Sequence, residues 1–127
     1  MALPDDVYTK QRIMEIIAKY TPVLLLQRHT FEVRCGVENK DSVAECVFNY
    51  PYLNVTIKYG DKCVEKFKNG EDLAPYIVHE MCHVITDPLY AKAISRYVGQ
   101  DEIRDERENL TDMICNIVLK TGGRRIK

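Results

Sequence analysis

The sequence predicts an α+β fold in which a small antiparallel sheet of about three strands packs on a helix carrying the pattern HExxH and on a C-terminal helix carrying a glutamate. Three observations carry this expectation. Residues 30–59 alternate apolar and polar side chains with a period of two, as half-buried strands do. The segments on either side switch to helical spacing. The chain has 127 residues, 46% of them apolar, which suits one domain over 1–127, because roughly two-thirds of the unfolded surface can be buried at this length.

The elements follow in order. Pro4-Asp5-Asp6 places acids at the positive end of a helix dipole, and Val7, Met14, Ile17 and Ala18 recur at helical spacing, predicting a first helix over 5–20. Thr21-Pro22 resembles an N-cap and first helical position, so 23–26 reads either as a short second helix or as a buried strand. From Thr30 onward Phe31, Val33, Cys35 and Val37 oppose Glu32 and Arg34, a first strand. Glu38-Asn39-Lys40-Asp41-Ser42 is turn chemistry, 43–48 a second strand, and 53–59 a third, in which Leu53, Val55, Ile57 and Tyr59 alternate with Asn54, Thr56 and Lys58. Gly60-Asp61 closes it.

Asn69-Gly70-Glu71-Asp72 then announces a helix, with Asp72 as its cap and Pro75 tolerated in a first turn whose N–H groups have no helical partner. Residues 76–85 are apolar on nearly every side, the mark of a helix buried all round. Asp87-Pro88 reads as its end, 89–98 as a further short helix, and Asp101 as the start of a last helix reaching about Lys120.

Charge and cysteines narrow the function. With 18 Lys+Arg against 19 Asp+Glu there is no cationic excess to neutralise phosphates, which argues against nucleic acid and anionic membranes as partners. The basic run Arg124-Arg125-Ile126-Lys127 reads as a solvated tail. Five cysteines, an odd number with no CxxC pair, do not make a disulfide framework. The acidic start differs from a signal peptide, and no apolar run approaches the ~20 residues of a membrane span, so a cytoplasmic protein is expected.

Within the buried helix lies His79-Glu80-Met81-Cys82-His83. Histidines at i and i+4 project from one face about one turn apart, so two imidazole nitrogens can meet one tetrahedral Zn2+, with Glu80 beside it toward a bound water. Two histidines and a glutamate are costly in so apolar a helix unless something pairs with them, and a metal does that. Cys82 faces away and reads as a core residue.

A catalytic zinc needs a third protein ligand. The pattern HExxHxxGxxH fails at Thr86 and Leu89, and His29 reads as a surface or strand-end residue. Among the 10 glutamates only Glu108 has an aspartate four residues on, Asp112. That pair shares one helical face, so Glu108 can bind the metal while Asp112 accepts a hydrogen bond from the far nitrogen of a ligand histidine. The bland alternative is an acidic first stretch of helix, 101–108, that merely favours the dipole. It covers Asp101 and Glu102 better than Glu108, which shares a stripe with Asp112, Cys115 and Leu119 opposite Ile103, Leu110, Ile114 and Ile117. A helix apolar on both sides predicts burial between two layers, with Glu108 inside in preference to Glu106.

HExxH followed on a second helix by Glu108-Asn109-Leu110-Thr111-Asp112 resembles the gluzincin (thermolysin-like) metallopeptidases. The order of elements over 30–120 also resembles the minigluzincins and small HExxH proteins of phages and prophages. The resemblance implies a minimal zincin-like fold, with His79, His83 and Glu108 as zinc ligands, Glu80 as the base acting on a zinc-bound water, Asp112 as the partner of His79, and a peptide or protein substrate pairing along the strand 53–59. Arg107 departs from the family's usual Asn. A downstream oxyanion-stabilising histidine is lacking, leaving Tyr90 and Tyr97 as candidates for that task. The expected function is thus a zinc-dependent metallopeptidase, and the rival is a zinc-stabilised structural or adaptor domain, such as a phage-encoded binding protein.

Overall fold

The computed structural model describes residues 4–48, 53–93 and 100–121. Its elements are α1 (Pro4–Val23), β1 (Thr30–Cys35), β2 (Ala44–Phe48), β3 (Asn54–Tyr59), α2 (Asp61–Lys68), α3 (Ala74–Ala93) and α4 (Gln100–Thr121). The α+β class holds, with a three-stranded sheet against helices. No helix among the described residues is long and apolar enough to cross a membrane.

The sheet is mixed, in the order β1-β3-β2. β2 pairs antiparallel with β3, as expected, but β1 pairs parallel with it, Val33 facing Ile57 and Cys35 facing Tyr59. The strand 53–59, expected to be the free edge, is therefore the central one. Its burial explains why: Val55, Ile57 and Tyr59 are 1, 0 and 1% exposed, and each contributes about 1.5–3 kcal/mol by leaving water. The chain must cross the end of β3 between β1 and β2. Gly36 opens that crossing at φ 112°, and the Glu45 carboxylate accepts the N–H groups of Glu38 and Asn39 at 2.8 and 3.3 Å, while Asn39 Oδ1 accepts from Asp41 N–H.

α1 lays Ile13, Ile16, Ile17 and Tyr20 on α3, α2 and β1. The expected face is corrected here, since Val7 and Met14 lie on the opposite side and are exposed. The helix also runs straight through Thr21-Pro22. It stops at a left-handed Leu25 (φ 59°), where Leu26 N–H bonds to Thr21 O and Leu25 N–H to Pro22 O, the paired bonds of a Schellman terminus. α2 is an element that the period-two reading passed over; Cys63 is its buried residue, with Val64 and Phe67 against the core.

α3 is the central helix. Asp72 Oδ1 accepts the Ala74 N–H at 3.0 Å, and Ile77, Val78, Met81 and Cys82 are fully buried. Asp87-Pro88 does not end it. Pro88 forgoes one bond, to the carbonyl of Val84, and the helix continues to Ala93. The remainder of the expected helix 89–98 lies outside the described residues beyond Ala93. α4 packs on α3, and its expected burial between two layers is not found: Leu110 and Ile117 are 40 and 61% exposed.

Candidate metal centre

The helical period brings His79 and His83 to one face of α3, and α4 lays Glu108 and Asp112 across them. Each imidazole is held at its Nδ1 by a carboxylate: His79 by Asp112 Oδ1 at 2.8 Å and His83 by Asp87 Oδ1 at 3.1 Å. An Nδ1–H donated to a carboxylate leaves the lone pair on Nε2. The two Nε2 atoms are 3.2 Å apart, and the Glu108 carboxylate stands 3.4 Å from the first and 3.5 Å from the second. Donors bound at ~2.0–2.1 Å to one tetrahedral ion are separated by roughly 3.3–3.4 Å; the Nε2–Nε2 spacing is close to that, and Glu108 meets the two imidazoles through different oxygens, Oε2 toward His79 and Oε1 toward His83.

Glu80 belongs to the same cluster, since donor atoms of His79, Glu80 and His83 lie within 4.8 Å of one another. Its place differs from that of Glu108. Glu80 Oε2 is 3.9 Å from His79 Nε2, and its carboxylate also accepts the backbone N–H of Cys46 on β2. Glu108 reaches across from α4 with one oxygen toward each imidazole. The Glu80 carboxyl is pushed up to about 7, chiefly by burial and further by the charges of Glu108 and Asp87, against the opposing pull of His83 and the Cys46 N–H. Burial lowers His83, but its bond to Asp87 and the charges of Glu80, Asp87 and Glu108 outweigh that and hold it above its ordinary value.

Two residues to which the sequence reading gave no role in the site complete the surroundings. Asp87 was taken as a helix stop, yet it sits at i+4 from His83, the spacing that could have revealed it. Arg107 spans both helices, with its guanidinium nitrogens 3.7 Å from Asp87 and 3.4 Å from Glu108. Below them Thr86 and Thr111, both buried, share a hydrogen bond of 2.8 Å, and Thr111 Oγ1 bonds to the Arg107 carbonyl. Cys82 is a core residue as expected, as is Cys115 on α4, whose thiol donates to the Pro75 carbonyl.

Of the remaining candidates, His29 stands at the entry to β1 against the Phe48 ring, outside the cluster. The backbone of Tyr90 lies in α3, but its side chain, like all of Tyr97, falls outside the described residues.

The centre opens onto a cleft with two lobes that share Ser42, Ala44, His79 and Glu80. One, of about 430 Å³, is walled by Val43, Pro75, Tyr76 and Leu119; the other, of about 490 Å³, holds Glu45, Lys58, Asp87, Arg107 and Glu108. Ala44 of β2 borders both lobes, and Glu45, Cys46 and Val47 line the second. The chain matches no protein-family model, no curated protein and no solved structure. What is established is a His-Glu-His cluster close enough to bind a metal.

Proposed function

We propose that the chain is a zinc-dependent peptidase of minimal gluzincin type, with His79, His83 and Glu108 as metal ligands and Glu80 as general base. The observation that supports it best is the pair of Nε2 atoms 3.2 Å apart. With each Nδ1 set against a carboxylate, the two Nε2 atoms face each other, and a cation between them would satisfy both. When bound, zinc would supply the Lewis acidity that polarises a carbonyl and brings the pKa of a water toward neutrality.

The chain's own groups do the rest. Glu80, half-buried beside the two imidazoles, can take a proton from the attacking water and return it to the leaving amine. β2 replaces β3 as the strand for substrate pairing. Because Gly60 N–H bonds to Val43 O, the ladder alternation turns the N–H and C=O groups of Ala44, Cys46 and Phe48 to the free edge, where the Cys46 N–H is taken by Glu80 and the others are open to a peptide.

A second reading, a structural or adaptor domain pinned by zinc, has one observation in its favour: around the centre α4 meets α3 through His79, Glu108, Asp112 and the Thr86–Thr111 pair, so a bridging metal would help hold the two helices together. Metal analysis and a peptide-mixture assay separate the two. On the peptidase reading the protein carries one zinc per chain, Glu80→Gln keeps that zinc and loses cleavage, and undiminished cleavage by Glu80→Gln would overturn it. On the second reading no cleavage occurs and chelation frees the amides of α4 to exchange with solvent.

A further inference from the structure

The face of α4 turned to α3 carries Arg107, Glu108, Thr111, Asp112 and Cys115. At about 100° per residue the opposite side falls to Glu106, Leu110, Met113, Ile117 and Lys120. There Leu110, Met113 and Ile117 are 40, 62 and 61% exposed, and the half-buried Ile103 continues the row. Positions 103, 110, 113 and 117 follow a heptad spacing, three a sites and one d site, whose remaining d sites are Glu106 and Lys120. Within the described residues this helix thus packs Ile114, Cys115, Val118 and Leu119 on the core side, beside its polar groups, and keeps a second apolar row turned to water.

We infer that this row is a seam between two copies of the chain, with α4 packed antiparallel on α4. Charge selects both the occupant and the direction. The row is acidic at one end, Glu106, and basic at the other, Lys120. More broadly, residues 101–108 include five acids and two arginines, whereas Lys120 is followed in sequence by Arg124, Arg125 and Lys127. About a two-fold axis between residues 111 and 112, Leu110 faces Met113 of the second copy, and Glu106 comes within a turn of Lys120 at each end. In a parallel pair Glu106 would meet Glu106 and Lys120 would meet Lys120, like charges on both ends. A surface apolar in the middle with opposite charges at its ends is complementary to itself. The seam lies on the far side of α4 from the metal centre, so pairing leaves both clefts open, and it holds whether or not the chain is a peptidase.

Sedimentation velocity of the full chain, from low micromolar to near-millimolar concentration, tests the seam. A monomer–dimer equilibrium is expected, weakened about 100-fold or more by Met113→Glu, which places two unpaired charges near the axis. Glu106→Lys and Lys120→Glu should each weaken the dimer, and the double charge swap should restore it, an outcome that misfolding does not produce. A wild-type chain that stays monomeric throughout, a dimer indifferent to Met113→Glu, or a charge swap that fails to restore association overturns the antiparallel α4 seam.

Discussion

Asp112→Asn removes a charge from the outer nitrogen of His79 without changing the shape of the side chain. Asp112 Oδ1 lies 2.8 Å from Nδ1, and a hydrogen bond to a charged group contributes about 1.5–3 kcal/mol. The Asp112 side chain is 62% exposed, so solvent screening holds the effect near that lower limit. At about 1.4 kcal/mol per tenfold, Asp112→Asn should weaken zinc binding about tenfold, the low end of what orienting partners of metal ligands provide. Asp87, 3.1 Å from His83 Nδ1 but only 27% exposed, is less screened, and Asp87→Asn should cost more, toward about 100-fold. Competition with a chromogenic chelator measures both, with thermal melting as the control for folding. Wild-type affinity in Asp112→Asn, or a greater loss there than in Asp87→Asn, would refute the argument that burial sets the strength of each clamp.

Two further outcomes follow from the same structure. The Glu80 carboxyl near 7 binds a proton in the folded, metal-free chain at pH values where the unfolded chain has released it. Its contribution to stability is therefore full below about 4.5 and declines as pH rises through about 7, by at most about 3 kcal/mol. His83, held above its ordinary value, acts in the same direction. Urea titrations of metal-free wild type and Glu80→Gln across that range isolate the Glu80 part, and a wild-type slope no steeper than that of Glu80→Gln would contradict it. At the end of α1, Leu25→Gly relieves a left-handed backbone worth about 1–2 kcal/mol, against about 0.5–1 kcal/mol of added chain entropy. Leu25 is 79% exposed, so little burial is lost, and a higher melting temperature is expected; a lower one would show that the Leu25 side chain contributes more than its backbone costs.

Much of the centre was legible because its spacings are local. His79, Glu80 and His83 share one turn of α3, and Glu108 and Asp112 share one turn of α4, so the 3.6-residue period alone aligns each set. Asp87 was equally local but hidden by Pro88, whose usual meaning as a stop gave way to a single forgone hydrogen bond in a helix buried along most of its length. The apolar face of α1 was ambiguous in sequence, since Val7 and Met14 make a second stripe opposite Ile13 and Ile16. Contact with the sheet and α3 chose between them.

By itself the sequence determined the class of the fold, the alternating strands and the donor spacing within each helix, because periods of two and 3.6 are written in neighbouring residues. Tertiary structure alone decided that β3 is central and β2 the free edge, that Glu108 comes within 3.4 and 3.5 Å of imidazoles on another helix, and that the second apolar stripe of α4 faces outward. Those outcomes depend on packing between segments distant in the chain, where burial of Val55, Ile57 and Tyr59 and the meeting of α3 with α4 set the geometry, and no local period encodes them.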